Sequence, residues 1–323
     1  MTRSCRPSVL VLLLVLLGFV GPASAEDLDP AGFVVPPGFV VEKAAGQPLI
    51  EYPLFACFDN QGRLYVAEGT GLNAPGEELL EKKLGKITLL EDTDQDGRFD
   101  TRTTFADKLV FPQGVLWHDG AVYTASHPNI WKLVDTDGDG RADRREALVG
   151  KFGFNGNGCD IHGPFFGPDG YLYWTDGRHR HQIRCREGYT LQGWAARIFR
   201  CRLDGYRIER IAGGGFDNPV ELIFGPAGSI IGTMDQSVGD CLLHYVEGGV
   251  YPRMDQPCVA EFQRTGPALT PALIYPENVP PALCGIERIR VAHLGPEYQG
   301  RLLTAQFNVH KVHQHVLTAD GAT

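Results

Sequence analysis

The sequence has little basic charge, few amphipathic helix patterns and no cysteine pair of the CxxC type. It contains 30 Lys and Arg against 39 Asp and Glu, and its formal net charge of −9 argues against a nucleic-acid partner, which would require clustered basic residues. The absence of CxxCH excludes an attached c-type haem. The 40 Gly and 22 Pro residues are typical of a turn-rich β protein, and Glu77 to Lys83 is the best short candidate for a helix.

The first 25 residues have the three parts of a secretory signal peptide. Two arginines precede an apolar run from Val9 to Val20, and Ala23-Ser24-Ala25 provides a small-x-small cleavage site. The run is shorter than the roughly 20 residues of a membrane-spanning helix, and no later segment is apolar enough to span a bilayer. We therefore predict a signal peptide over residues 1–25, export to the periplasm or the medium, and a mature chain without a transmembrane segment.

A hairpin unit recurs along the mature chain, with Gly in its turn at a spacing of 50 to 58 residues. Gly supplies the positive φ that a tight hairpin turn requires. A second pair of strands follows each hairpin, and four strands in a period of about 50 residues predict the blade of a β-propeller. The alternative is a β-sandwich. The hairpins span Phe55–Glu68, Gly114–Ala125, Pro164–Trp174 and Val220–Ile231, their turn glycines are Gly62, Gly120, Gly170 and Gly228, and a degenerate fifth copy covers Ile289–Ala305.

Five blades are visible, and the chain ends at Thr323 just after a predicted strand. A propeller must close to remove its open sheet edge, and a complete fold of about six blades would continue past this residue. We therefore interpret residues 26–323 as an all-β propeller domain that is truncated at its C-terminus. In the alternative interpretation, Glu26 to Val41 contributes a closing strand.

Two aspartate-rich loops have the spacing of a calcium-binding loop, with carboxylates at positions 1, 3, 5 and 9 and Gly at position 6. Glu146 falls at position 12 of the second loop, where Thr103 stands in the first, so we expect the second to bind more tightly. Calcium here would be structural, and the alternative is a solvated acidic turn. The predicted ligands are Asp92, Asp94, Asp96 and Asp100 in the first loop and Asp135, Asp137, Asp139, Asp143 and Glu146 in the second.

His162 is the main candidate for chemistry, because we expect it just before the first strand of the third blade, at the end of the central channel. A histidine there could act as a general base, with Asp160 or Asp176 orienting its ring. The alternative is a hydrogen-bonded structural histidine. His179 and His181 have metal-like spacing, but we interpret them as network histidines because no carboxylate or cysteine companion is evident beside them.

The stretch Asp160-x-His-Gly, followed by Gly-Pro-Asp-Gly-x-Leu-Tyr173, resembles the soluble quinoprotein sugar dehydrogenases, propellers that use pyrroloquinoline quinone (PQQ). Phe33 to Thr323 as a whole resembles the large membrane-bound dehydrogenase propeller family of planctomycetes and verrucomicrobia. The matching motifs are Leu64–Glu68, the paired DxDxDG loops, Phe111–Val115, Asn218–Leu222, Pro281–Gly285 and Phe307–Lys311.

By this resemblance, His162 would take a proton from a sugar or alcohol hydroxyl while hydride passes to the quinone. Asn218 would line the site, and a separate cytochrome c would be the electron acceptor. Arg178, Arg180 and Arg197, which lie nearby in the sequence, are the candidates for holding an anionic cofactor. The quinoproteins carry an arginine before the Asn-Pro pair, whereas this chain has Asp217. A carboxylate that faces a tricarboxylate quinone is electrostatically unfavourable, so this residue argues against PQQ.

Three functions follow from these features. The first is an exported dehydrogenase-like propeller that oxidises a sugar or alcohol with a quinone cofactor. The second, which Asp217 favours, is a non-catalytic propeller that is stabilised by calcium and binds a glycan or a protein. The third is a metal-dependent, lactonase-like hydrolase, which a channel metal held by carboxylate and Asn would favour.

Overall fold

The computed structural model describes residues 32–71, 74–156, 158–177, 179–194, 196–214, 217–235, 240–251, 273–274 and 281–318. The predicted signal peptide, residues 1–25, lies outside these ranges. Strands dominate the described residues, and the α-helix described among them, α1 (Gly76–Lys82), matches the predicted helix closely. The all-β prediction is therefore confirmed. Within the described ranges, no helix combines the length and the apolar character needed to cross a membrane.

Five of the described sheets follow one another along the chain as blades, and a sixth, two-stranded sheet is inserted within the third. Each of the five begins with a hairpin whose first strand is innermost. The first sheet contains β1 (Pro53–Phe58), β2 (Leu64–Glu68), β3 (Gly85–Glu91) and β4 (Thr101–Leu109), and the second contains β5 (Leu116–His118), β6 (Ala121–Ser126), β7 (Asn129–Val134) and β8 (Arg144–Gly150). In the third, β9 (Ile161–Phe166) and β10 (Leu172–Asp176) are followed by a separate hairpin, β11 (His181–Arg184) and β12 (Thr190–Gly193), and then by β13 (Arg197–Cys201) and β14 (Glu209–Gly214).

The fourth sheet is built from β15 (Asn218–Phe224), β16 (Ile230–Asp235), β17 (Cys241–Tyr245) and β19 (Leu273–Ile274). Between the last two, β18 (Val250–Tyr251) pairs in parallel with β14 and adds a fifth strand to the third sheet. The fifth sheet has three described strands, β20 (Leu283–Arg288), β21 (Leu302–Gln306) and β22 (Lys311–His315). The sheets are arranged as a five-bladed propeller, and we number the blades in chain order.

The four predicted hairpins are confirmed, and their turn glycines all have positive φ, from +75° at Gly120 to +85° at Gly62. The fifth hairpin differs from the prediction. Its inner strand is β20, which ends before Ile289, and Gly300 lies in the connection to β21 rather than in a tight turn. Two short 3₁₀ segments, Ala292–Leu294 and Pro296–Tyr298, lengthen this connection beyond the two-residue turn that the sequence pattern suggested.

Apolar side chains fill the spaces between neighbouring blades, and this packing defines the order of the ring. Trp174 and Phe199 stack at 5.3 Å within the cluster that joins blades 2 and 3. Similar clusters join blades 1 and 2, blades 3 and 4, and blades 4 and 5. The sequences of the strands are alternating or continuous in apolar residues because each sheet packs between neighbouring blades.

The chain before β1 packs on the first and fifth blades. Ile50 is buried against Leu64, Val66 and Leu90 of blade 1, whereas the Phe39 ring meets Tyr298 of blade 5 edge-on at 5.2 Å. The closing strand proposed for Glu26 to Val41 is absent from the described part of that segment, residues 32–41. The described N-terminal segment contacts blades 1 and 5 through side-chain packing.

All inner strands begin, and all second strands end, at the same end of the propeller, because each pair is antiparallel. We call this the upper end. It carries the longer connections, including α1 and the base of the β11–β12 hairpin. The four glycine turns lie at the opposite, lower end. Since ligands bind where connections are long and variable, the upper end is the place to look for a site.

Candidate functional site

Polar residues end the second strand of every blade at the upper end. Four of these five side chains are almost completely buried and the fifth is partly buried, in a region where apolar residues would otherwise be expected. Buried polar groups are costly unless they are bonded, so a ring of them at one end indicates a shared role. The five are Glu68, Ser126, Asp176, Asp235 and Gln306.

His162 lies beneath this end, on the innermost strand of blade 3. It is the second residue of β9, pairs with Thr175 and is only 3 % exposed, so it lies inside the strand and not before it, where the sequence had predicted it. The Phe55 ring from blade 1 meets it edge-on at 6.3 Å. Burial lowers the pKa of His162 to about 4, so the imidazole is neutral near pH 7, and its Nδ1 has no hydrogen-bond partner among the described residues.

Asp176 is bonded to His181 rather than to His162. Its Oδ2 lies 2.9 Å from His181 Nδ1, and both side chains are buried. The register of the β9–β10 pair explains this, because Asp176 lies opposite Ile161 and so points to the other side of the sheet from His162. Burial and the nearby Asp160 raise the pKa of Asp176 well above its usual range, and Arg197 opposes that effect.

The carboxylate of Asp160, too, bonds to groups other than the His162 ring. Its carboxylate accepts hydrogen bonds from the backbone N–H groups of Asn155 and Gly156, and Oδ1 lies 4.0 Å from His179 Nε2. The two predicted carboxylate partners of His162 therefore have other contacts. Asp160 holds a loop and lies near His179, and Asp176 bonds to His181. Burial raises the pKa of Asp160, and the two backbone donors and His179 lower it.

Arg197 is mostly buried, at 9 % exposed, and stands directly opposite Asp176 in the β10–β13 pair. Its charge therefore compensates that carboxyl group. Arg178, another of the predicted cofactor-binding arginines, lies outside the described residues. The described residues thus place one arginine among the buried carboxyl groups.

A second polar group lies at the upper end of blade 4. Asn218 begins β15 and donates from Nδ2 to Asp235 Oδ2 at 3.5 Å, as the β15–β16 register dictates. Asp217 and Asp240 flank this pair in the chain and are buried, and Asp240 Oδ2 accepts a hydrogen bond from Ala282 N. Burial, followed by the neighbouring Asp240, raises the pKa of Asp235 to about 6.

Trp194 is a further feature of the upper end, and the sequence analysis did not identify it. It follows β12 at the base of the β11–β12 hairpin, where His181 pairs with Gly193. The guanidinium of Arg180 stacks on the indole, 3.1 Å from the ring centroid, yet 56 % of Trp194 is exposed. A single exposed Trp has no sequence periodicity, so only its position in the fold shows that it lies beside the buried Asp176–His181 pair.

The two aspartate loops occupy equivalent places at the lower end, between the third and fourth strands of blades 1 and 2. In each loop three carboxylates have oxygens within 4.8 Å of one another, Asp92, Asp94 and Asp100 in the first and Asp135, Asp137 and Asp143 in the second.

The remaining predicted ligands of these loops make other contacts. Asp96 and Asp139 each accept a hydrogen bond from a backbone N–H two residues later, at 2.8 Å. Glu146 lies on β8 and bonds to Arg186. The structure therefore gives the two loops the same set of three clustered carboxylates.

A family model described as "Domain of unknown function (DUF7133)" matches residues 28–323. The chain belongs to this family. Among curated proteins, none matches the chain significantly.

Several solved structures share the propeller of this DUF7133 member. An oxidoreductase described as a glucose dehydrogenase, from Thermus thermophilus, is 19 % identical, with a TM-score of 0.59 over 86 % of this chain and 82 % of its own. The PQQ-bound aldose sugar dehydrogenase of Streptomyces coelicolor is 16 % identical, with a TM-score of 0.54 over 83 % and 78 %. These similarities show the fold, and the function has to be argued from the site.

Proposed function

We propose that this propeller binds a sugar or glycan at its upper end, with Trp194 as the stacking surface. The observation that carries the proposal is an exposed indole, stacked against Arg180, at the hairpin base where His181 pairs with Gly193 and bonds to the buried Asp176. The flat indole offers a large apolar area at little entropic cost. Carboxyl and amide groups accept and donate the hydrogen bonds that sugar hydroxyls make.

The propeller's neighbours in structure support this class of ligand. They include glucose, aldose sugar and pyranose dehydrogenases. Because the shared fold alone does not fix an activity, these neighbours supply only the ligand class, and the residues of this chain decide the rest.

The described residues do not fit PQQ. Asp217 stands where the quinoproteins carry an arginine, and it is buried beside Asp235. The mostly buried Arg197 stands opposite Asp176 in the β10–β13 pair, and Arg180 lies on Trp194. Among the described residues of this end, a quinone with three carboxylates would meet buried carboxyl groups, which is electrostatically unfavourable. We therefore derive no oxidation step through PQQ.

Oxidation of a sugar or alcohol is the second candidate, and His162 is the observation that favours it. A neutral imidazole on the innermost strand, with Nδ1 unbonded among the described residues, could accept a hydroxyl proton. An artificial dye tests this candidate without assuming an acceptor. Sugar-dependent dye reduction, measured with and without PQQ, that is lost in His162→Gln would support it, and the absence of dye reduction in the intact protein would contradict it.

Sugar binding is tested by titrating the full chain with mono- and oligosaccharides in a calorimeter. We expect Trp194→Ala to weaken binding at least tenfold without changing the melting temperature. Tyr206→Ala is the matched control, because Tyr206 is also exposed and also lies under an arginine, Arg186 at 5.5 Å, but sits in the lower-end turn between β13 and β14. An equal loss in both variants, or no binding by the parent chain, would contradict the proposal.

We also propose that the two aspartate loops bind structural calcium. Support comes from the three clustered carboxylates in each loop and from their equivalent places in successive blades. The predicted signal peptide would bring the domain to a compartment in which free calcium is generally higher than in the cytosol. Because the loops lie at the lower end, calcium there would stabilise blades 1 and 2 rather than touch a sugar.

A further inference from the structure

A cavity of about 240 Å³ lies at the lower end of blade 2, beside the second aspartate loop. The glycine turn at Asp119 and Gly120 forms one part of its lining, and Lys132 of β7 with Arg144 and Glu146 of β8 forms another. Cavities for drug-sized ligands measure about 300–1,000 Å³, so this one suits a smaller molecule. It lies at the opposite end of the propeller from the exposed indole and is therefore a separate place to look for a ligand.

The strand register places the charges of this cavity on one face of blade 2. Lys132 stands directly opposite Glu146, and Arg144 lies two residues before Glu146 on the same strand. Opposite charges at directly facing positions usually attract each other. Here, however, Glu146 forms its ion pair with Arg186 of blade 3, and Lys132 Nζ lies over the Tyr123 ring, 5.7 Å from its centroid. The ion pair that the register suggests within blade 2 is therefore replaced by one between blades.

This arrangement leaves the cavity with an excess of positive charge. In the part of the chain that the structure describes, neither Lys132 nor Arg144 has a carboxylate within ion-pair distance. Because Arg186 compensates Glu146, the two cations stand against the single charge of Asp119, and the balance of the lining is +1. Lys132 and Arg144 are diagonal neighbours across the β7–β8 pair, a separation of about 7–8 Å. Two long side chains at that separation can both reach one anion placed between them.

We propose that this cavity binds a small hydroxylated carboxylic acid of the sugar-acid class, with its carboxylate between Lys132 and Arg144 and its hydroxyl groups donating to Asp119. An ammonium and a guanidinium form charge-assisted hydrogen bonds with a carboxylate. The Asp119 carboxylate accepts hydrogen bonds but repels further negative charge, so a hydroxylated ligand with one negative charge fits better than a phosphate. The cavity volume limits the ligand to about one sugar unit.

The test uses the full chain with Trp194→Ala as the parent, so that the result does not depend on the sugar proposed for the upper end. Calorimetric titrations in a buffer free of calcium and phosphate compare glucuronate, glucose and inorganic phosphate. We expect glucuronate to bind at one site per chain and glucose to bind at least tenfold more weakly. Lys132→Gln and Arg144→Gln should each weaken glucuronate binding at least tenfold. Arg202→Gln is the matched control, because Arg202 is exposed in the lower-end turn between β13 and β14, and it should leave binding unchanged.

A comparison with acetate tests the role of Asp119, because acetate has the carboxylate but lacks the hydroxyl groups. Asp119→Asn should lower the preference for glucuronate over acetate at least threefold, since it removes the charged acceptor for the hydroxyls. If Lys132→Gln does not fold, Arg144→Gln decides the question, because Arg144 is exposed. The proposal would be overturned if glucuronate does not bind, if Arg144→Gln or the acetate preference in Asp119→Asn shows no change, or if inorganic phosphate alone binds.

Discussion

Asp176 and His181 form a buried pair, with Asp176 Oδ2 2.9 Å from His181 Nδ1 and with Arg197 directly across the strand pair. The pair ties the end of β10 to the start of the β11–β12 hairpin and so positions the hairpin base that carries Arg180 and Trp194. Both partners come from a stretch of six residues, yet the hydrogen bond depends on β10 ending at Asp176 and the chain then turning back.

We expect Asp176→Ala to destabilise the protein by about 2–3 kcal/mol, because it leaves a buried imidazole nitrogen without its partner. Asp176→Asn keeps an oxygen acceptor and should cost less. Chemical unfolding measures both, and Asp204→Asn, which keeps the acceptor for Tyr206 N in an exposed turn, is the control, with little expected change. In a double-mutant cycle with His181→Ala the costs should not add, and strict additivity would show that the pair contributes no coupling.

A second prediction concerns the close approach of two glycines beside His162. Gly114 has φ +148°, and a Cβ there would lie 2.1 Å from the carbonyl oxygen of Gly163. Gly114→Ala should therefore cost at least about 3 kcal/mol, since backbone from blade 3 cannot move aside cheaply. Gly170 is the matched comparison, with φ +81° and no atom within 4 Å of an added Cβ.

At Gly170 only the backbone conformation opposes a side chain, so Gly170→Ala should cost about 1–2 kcal/mol. Free energies of unfolding from urea titrations separate the two cases. Similar costs for both variants would mean that the inner strands of blades 2 and 3 do not pack as closely as the geometry indicates.

The hairpins were predictable because their information is local. Gly62, Gly120, Gly170 and Gly228 sit between short apolar strands, and each glycine adopts the positive φ that its turn requires. The hairpin of the fifth blade was predicted at the wrong residues because its connection has no tight turn, whereas the sequence pattern suggested one at Gly300. Pairing of β18 with β14 joins residues that are distant in sequence, and no local pattern signals it.

The site was predicted less completely because it depends on which side of a strand each side chain faces. His162 was expected just before a strand that starts at Pro164, whereas β9 already starts at Ile161, so His162 is buried within the strand and the register separates it from Asp176. Trp194 and Asp235 were missed because neither belongs to a motif. The resemblance drew attention to Asp217, where the quinoproteins carry an arginine. Its burial beside Asp235 strengthens the argument against PQQ that was made from its charge.

The calcium proposal predicts that both loops contribute similarly. Calcium at about 100 times the dissociation constant of a site would stabilise the protein by about 2.7 kcal/mol for that site. Asp92→Asn and Asp135→Asn should each remove part of the rise in melting temperature that calcium causes over EGTA. Glu146→Gln should leave the rise intact, because Glu146 bonds to Arg186 rather than to the loop. A smaller rise in Glu146→Gln would indicate that Glu146 binds calcium at position 12 of the second loop, as the sequence predicted.

The last prediction concerns the pH dependence of the contact between blades 4 and 5. Glu221 on β15 accepts a hydrogen bond from Ile286 N on β20 at 2.7 Å, and burial raises its pKa from 4.5 to about 8. The folded state therefore holds a proton that the unfolded state releases. The stability that the protonated Glu221 contributes to the folded state is fully present below pH 4.5 and is lost as the pH rises through about 8.

Glu221→Gln removes the ionisation but keeps the acceptor, so at pH 8 it should be more stable than the parent by about 1–3 kcal/mol. At pH 5 the two proteins should differ little. Unfolding free energies at both pH values measure this, with Glu247→Gln on the exposed surface as the control. If Glu221→Gln is no more stable than the parent at pH 8, the carboxyl group is ionised in the folded state, and the two blades must separate enough to hydrate it.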